Sequence, residues 1–142
     1  MADIQNRTPI DLFLDEPRLA RLATANPHNL QPHVVPVWYA WDGQSLWISA
    51  FRSTRKIKDL LRNPLCSVLI DVEEEGEGLR AVLFEGRAEL IDDPAIVRPM
   101  ATQIYTRYLG ETGVLAANPQ SWIVDPENTI IKLVPDKTYT WS

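Results

Sequence analysis

Arg52, Arg55, Lys56, Lys58 and Arg62 place five of the chain's 14 basic residues within eleven positions, offset only by Asp59. They follow Ser53 and Thr54, either of which can cap a helix, and the spacing of Ile57, Leu60 and Leu61 predicts that helix as far as Pro64. Cations in a first helical turn oppose the helix macrodipole, so Arg55 and Lys56 at that place ask for an anion, and a phosphate suits both the charge and the open backbone amides. A basic face on a short helix is more often simply solvated. The rest of the chain has to decide between the two.

Other chemistry is sparse. His28 and His33 have no Cys, Asp or Glu at metal-ligand spacing, which argues against a zinc or iron site. There is no glycine-rich nucleotide loop and no nucleophile-elbow motif. The acidic run Glu73–Gly78 reads as a solvated, flexible loop. A phosphate cradle with aromatic residues around it and no dedicated acid, base or nucleophile is the profile of a protein whose cofactor does the reacting.

The elements that hold this cradle are mostly strands. Trp47–Phe51 alternates bulky and small residues and runs into the basic helix as strand, turn, helix. Before it, Gln31–Trp41 reads as one strand rich in β-branched and aromatic residues, with Pro36 demanding an edge, a bulge or a ligand, and Asp42-Gly43 turns it into Ser45–Phe51. Thr8-Pro9-Ile10-Asp11 starts a short helix, and Arg18–Ala25 reads as a strand closed by Asn26–Asn29. Leu65–Val72 has the length of a buried strand, and Leu79–Ile91 is a long one that Gly86 bends. Asp93-Pro94 opens a helix in which Pro99 predicts a kink and Gly110 an end. Trp122–Val124 and Thr129–Val134 complete the strands, and Lys137–Ser142 reads as a tail. Six or seven strands with a few short peripheral helices imply a mainly β protein, a small antiparallel barrel formed by residues 1–142 as a single domain.

Composition limits the partners. The formal net charge of -5 opposes general affinity for nucleic acid, so single-strand binding through the basic stretch is disfavoured. No apolar run reaches membrane-spanning length, the N-terminus lacks the basic start and apolar run of a signal peptide, and one cysteine, Cys66, cannot form an internal disulfide. A soluble, cytoplasmic protein without a membrane partner is the expectation.

The order RLATANPHNLQPHVVPVWY, DGQSLWISAFRSTRKIKDLLRNPLCSVLID, RAVLFEGRAELI, IIKLVPDKTYTW resembles the pyridoxamine 5'-phosphate oxidase-like family of FMN-binding split barrels, from about Leu12 to Trp141. The resemblance implies an antiparallel split β-barrel and a homodimer with cofactor sites at the subunit interface. It implies that His33, Val34, Val35, Pro36, Val37 and Trp38, with Ile48, Ser49 and Ala50, line the isoalloxazine and ribityl chain. Ser53, Thr54, Arg55 and Lys56 would form the phosphate-binding turn, the same residues that charge alone selects. Arg80 aligns with the family's Arg-x-Val-x-x-Glu-Gly motif, and Ala81 stands where the oxidase has a flavin-contacting Gln. The oxidase's C-terminal Arg-x-His element is absent, the chain ending in YTWS, so the resemblance does not extend to a true pyridoxamine-phosphate oxidase. The implied protein is an FMN-dependent oxidoreductase acting on a non-phosphorylated small molecule such as a quinone or conjugated carbonyl, with no catalytic residue assigned. A non-catalytic flavin carrier or redox sensor and a deazaflavin-dependent reductase are the alternatives, and the lack of a well-placed His ligand weighs against haem.

Overall fold

The computed structural model describes residues 6–73, 76 and 78–142. The expected acidic loop at 73–78 lies partly outside them, as does the stretch 1–5. The elements in chain order are α1 (Pro9–Leu14), β1 (Ala20–Ala25), β2 (Pro32–Val37), β3 (Tyr39–Trp41), β4 (Leu46–Phe51), α2 (Arg55–Arg62), β5 (Leu65–Asp71), β6 (Ala81–Ile91), α3 (Pro94–Gly113), α4 (Ala117–Val124), β7 (Asn128–Leu133) and β8 (Lys137–Trp141).

The strands join in one antiparallel sheet of order β2-β1-β5-β6-β7-β4-β3, with β8 also pairing β6. Curled on itself, this sheet is the expected split barrel. Period-two alternation builds its interior: Ala20 and Leu22 of β1, Leu46 and Ile48 of β4, Cys66, Val68 and Ile70 of β5, and Val82 and Phe84 of β6 all point into one core. α1 contributes Phe13 and Leu14 to this core, and α2 contributes Ile57 and Leu60. A second core forms where α3 and α4 bring Val97, Ala101, Ile104 and Ile123 against Ala40 of β3 and Ile130 of β7.

Local signals explain the helix starts. Thr8 and Asp11 form a reciprocal capping box around Pro9, and Trp41 Nε1 donates to Asp11 Oδ1 at 2.7 Å, tying α1 to β3. Asp93 accepts from the Ala95 amide ahead of Pro94 at the start of α3. Pro36 sits in β2, the end of the sheet order, where one side of the strand needs no donor from it. Gly86 marks the point where β6 changes neighbours: Ala81–Glu85 pair β8, whereas Ala88–Ile91 pair β7. A Cβ at Gly86 would stand 3.1 Å from Leu133 Cδ1 and 3.2 Å from both Val134 O and Asp136 N, so the crossing favours glycine.

Several expectations are corrected. Gln31–Trp41 is two strands, because Trp38 interrupts the ladder as the chain passes from pairing with β1 to pairing with β4. Trp122–Val124 is the end of α4 rather than a strand; its Trp, Ile and Val favour strands, but the turns before it place them on a helix. Lys137–Ser142 is no tail, since Lys137–Trp141 pair β6 from Glu85 to Ala81. The long helix carries Pro99 inside it and breaks at Gly110, at φ 82°, where an end was expected. No helix among the described residues is long and apolar enough to cross a membrane.

Candidate functional site

The C-terminal end of β2 and the C-terminal end of β4 meet the first turn of α2 around an open cavity of about 330 Å³, which α3 and α4 border on the other side. Pro36, Val37 and Trp38 form one wall, Ser49, Ala50 and Phe51 the second, and Lys56 stands at the corner. Tyr105 and Trp122 complete it. Six residues expected at a cofactor site from sequence, Pro36, Val37, Trp38, Ser49, Ala50 and Lys56, therefore meet in one place.

The helix end at this corner is electrostatically open. Thr54 occupies the N-cap but makes no side-chain cap, because its hydroxyl donates back to the Phe51 carbonyl at 2.6 Å. Ser53 donates to Glu127 Oε2 at 3.0 Å. Among the described residues nothing accepts from the backbone amides of Arg55, Lys56 and Ile57, and the first bond of the helix runs from the Lys58 amide to the Thr54 carbonyl. The side chains differ in the same way. Arg52 faces Asp92 at 3.1 Å, and Arg55 Nε lies 3.9 Å from Asp59 Oδ2, whereas Lys56 has no carboxylate within ion-pair distance among the described residues. Burial with no compensating charge pushes the Lys56 ammonium below its ordinary value.

The aromatic side of the cavity is held rigidly. The Trp38 ring stacks on Tyr108 with centroids 4.8 Å apart and meets Tyr105 edge-on at 6.1 Å, while Trp122 meets Tyr105 edge-on from the other side at 5.7 Å. Tyr108 is fixed in turn, donating to the Arg18 carbonyl at 2.6 Å and accepting from the Tyr39 amide at 3.2 Å. Tyr105 and Ser49 share a hydrogen bond of 2.7 Å on the cavity wall.

The remaining expected residues lie elsewhere. Ile48 is fully buried and turned into the barrel core, away from the cavity lining. His33, Val34 and Val35 lie farther back along β2, where Val34 is 60% exposed and Val35 packs on the core. Ser53 and Thr54 flank the open helix end with their hydroxyls already engaged. Arg80 is not brought to this cavity: β1 and β5 separate β2 from the start of β6, and the Arg80 amide donates to the Trp141 carbonyl at 2.7 Å. Tyr105 and the buried Asn128 behind it escape a sequence reading, because Tyr105 sits in an ordinary apolar stripe of α3 and meets Ser49 only through the tertiary fold.

Residues 9–142 match the family described as pyridoxamine 5'-phosphate oxidase. The chain belongs to this family. Among solved structures, the chain is similar to the conserved hypothetical protein Rv2991 from Mycobacterium tuberculosis, with 25% identity and a TM-score of 0.78 over 100% of this chain and 85% of that one. It is also similar to an F420 reductase, with 24% identity and a TM-score of 0.73 over 91% of this chain and 94% of that one. A FAD-binding protein from Mesorhizobium loti has 24% identity and a TM-score of 0.64 over 89% of this chain and 87% of that one. No curated protein matches the chain in sequence. Members of the pyridoxamine 5'-phosphate oxidase family thus share the barrel that builds this cavity, and the features of Lys56 and Tyr105 described above are those of this chain.

Proposed function

We propose that the chain binds a flavin-type cofactor, FMN, in this cavity and serves as an oxidoreductase for a non-phosphorylated small molecule. The observation that carries the reading is Lys56, a half-buried cation without a counter-charge among the described residues, beside the open amides of Arg55, Lys56 and Ile57. A phosphate monoester fits that donor set, since it would supply the missing negative charge and accept from amides that no other described residue engages. The walls fit the rest of the molecule, with the apolar faces of Val37, Ala50 and Phe51 and the ring of Trp38 offering a planar slot. The F420 reductase and FAD-binding names of two similar structures support a flavin-type class.

A bound flavin supplies the hydride or electron transfer. The chain's part is to hold the phosphate through Lys56, Arg55 and the α2 amides, to fix the ring between β2 and β4, and to exclude water with Trp38 and Trp122. Arg80 enters this reading only through a second copy: it borders β8, where Tyr139 and Trp141 are 44% and 50% exposed, and a homodimer that covers this face would bring it to a partner's cofactor. In the same reading the protein works in a reducing cytoplasm, where Cys66 needs no disulfide partner.

The test is to load the purified protein with FMN and follow its reduction by NADH, NADPH and reduced deazaflavin in stopped flow, with free FMN as reference. Reduction faster than free FMN by any of the donors supports the enzyme. If all match the free cofactor, a carrier or sensor role replaces it. A stable monomer that binds flavin stoichiometrically removes the role assigned to Arg80.

A further inference from the structure

Behind the cavity wall, Ser49, Tyr105 and Asn128 form a closed hydrogen-bond ring whose direction can be read. Asn128 Nδ2 lies 2.9 Å from the Trp122 carbonyl, which can only accept, so the nitrogen of this buried amide is fixed on that side. Its oxygen therefore faces Ser49, whose hydroxyl donates to it at 3.1 Å. With its only proton spent there, Ser49 can meet Tyr105 only as acceptor, so the Tyr105 hydroxyl donates across the 2.7 Å contact. Asn128 Nδ2 closes the ring toward the Tyr105 oxygen at 3.5 Å. Burial raises the Tyr105 pKa and keeps it a neutral phenol, as this role requires.

Both hydroxyl protons are thus turned inward, and what Ser49 and Tyr105 have left is lone pairs. We infer that this wall of the cavity recognises a hydrogen-bond donor, and that Ser49 and Tyr105 select a hydroxyl- or N–H-bearing aromatic compound over one that offers only a carbonyl or ether oxygen. The two tryptophans that meet Tyr105 edge-on supply the aromatic preference. The cavity is then polar in a defined sense, with donors at the Lys56 corner and acceptors at the Ser49–Tyr105 wall. The assignment rests on this cavity being the ligand site, as proposed above, and it narrows the substrate from a bare carbonyl compound to the hydroxylated class.

Isothermal titration of 2-naphthol against 2-methoxynaphthalene, which keeps the ring and the oxygen but loses the proton, tests it in protein with and without FMN. The wild type should favour 2-naphthol by about tenfold, the effect of one hydrogen bond. Ser49→Ala removes the acceptor of the Tyr105 proton and frees that proton for either ligand's oxygen, so the preference for 2-naphthol should disappear. Tyr105→Phe, which leaves only the Ser49 oxygen, should narrow the wild-type preference without reversing it. Wild-type binding of the ether as tight as the naphthol, binding of neither, or equal loss of both in a Ser49→Ala protein with unchanged circular dichroism would overturn the inference. The preference without any FMN binding would sink the cofactor proposal alone, and FMN binding without the preference would sink this one alone.

Discussion

The larger cavity of this protein is not the one that looks built for a ligand. About 550 Å³ opens between Ala23–Ala25, Cys66, Gly86 and Lys137, against about 330 Å³ for the cavity at Lys56. Some polar groups in the larger one are occupied within the fold, since Thr24 donates to Asp59 at 2.9 Å, Asn63 Oδ1 accepts from the Leu65 amide at 3.3 Å, and the Asp136 amide donates to the Glu85 carbonyl at 2.9 Å, and its charged lining carries both signs in Glu85, Asp136 and Lys137. Its thiol is pushed up to about 11 by burial, which makes Cys66 a poor nucleophile at neutral pH. At the smaller cavity a half-buried cation and the helix amides remain unmatched among the described residues. Unmet electrostatic demand, rather than volume, distinguishes a binding site from a packing irregularity.

The comparison breaks first at Gly86. Gly86→Ala forces a Cβ against the Leu133 side chain and the backbone of Val134 and Asp136, and chemical denaturation should show a loss of about 1–3 kcal/mol. FMN affinity, measured where the variant is folded, should stay at the wild-type value. A large loss of affinity in folded Gly86→Ala protein would mean that the larger cavity takes part in binding.

The next effect is on pH dependence. An anion at Lys56 is held by the charged ammonium, and burial has already lowered the pKa of that group, so phosphate affinity should fall by about tenfold as pH rises through a range below that of an ordinary lysine near 10.4. Lys56→Arg keeps its charge and should move the fall to higher pH. An unshifted profile in that variant would assign the transition to another group.

The smallest effect is on the cofactor-free protein. A lysine whose pKa is lowered by folding leaves the unfolded chain binding more protons, so its penalty on stability is present at neutral pH and is relieved as pH rises from the lowered value toward the ordinary one. Lys56→Met should therefore raise the apo-protein melting temperature, by about 1 °C given the group's partial exposure. A lower melting temperature would show that Lys56 has a stabilising partner.

Local chemistry made much of this molecule readable in advance. The helix start at Thr8-Pro9-Ile10-Asp11, the Asp93-Pro94 start and the alternation of Trp47–Phe51 are each complete within a few residues, and each formed where expected. Three-residue Trp122–Val124 is too short to show a period, so β propensity misled there. Lys137–Trp141 is exposed along its whole length and carries no apolar face to announce the β8 pairing. The site divides in the same way. Lys56 could be found from charge density against a negative chain, whereas the Tyr105–Ser49–Asn128 ring joins residues 56 and 79 positions apart and has no local signature.

The central claim is that Lys56 waits for a phosphate, and fluorescence titration of FMN and riboflavin against wild type and Lys56→Ala tests it most directly. A charge-assisted contact to phosphate contributes about 1.5–3 kcal/mol, so the substitution should weaken FMN binding by about ten- to hundredfold with circular dichroism unchanged. Riboflavin, which lacks the phosphate, should bind the wild type poorly and the variant about equally. Equal losses for FMN and riboflavin, or no loss for either, would contradict the account.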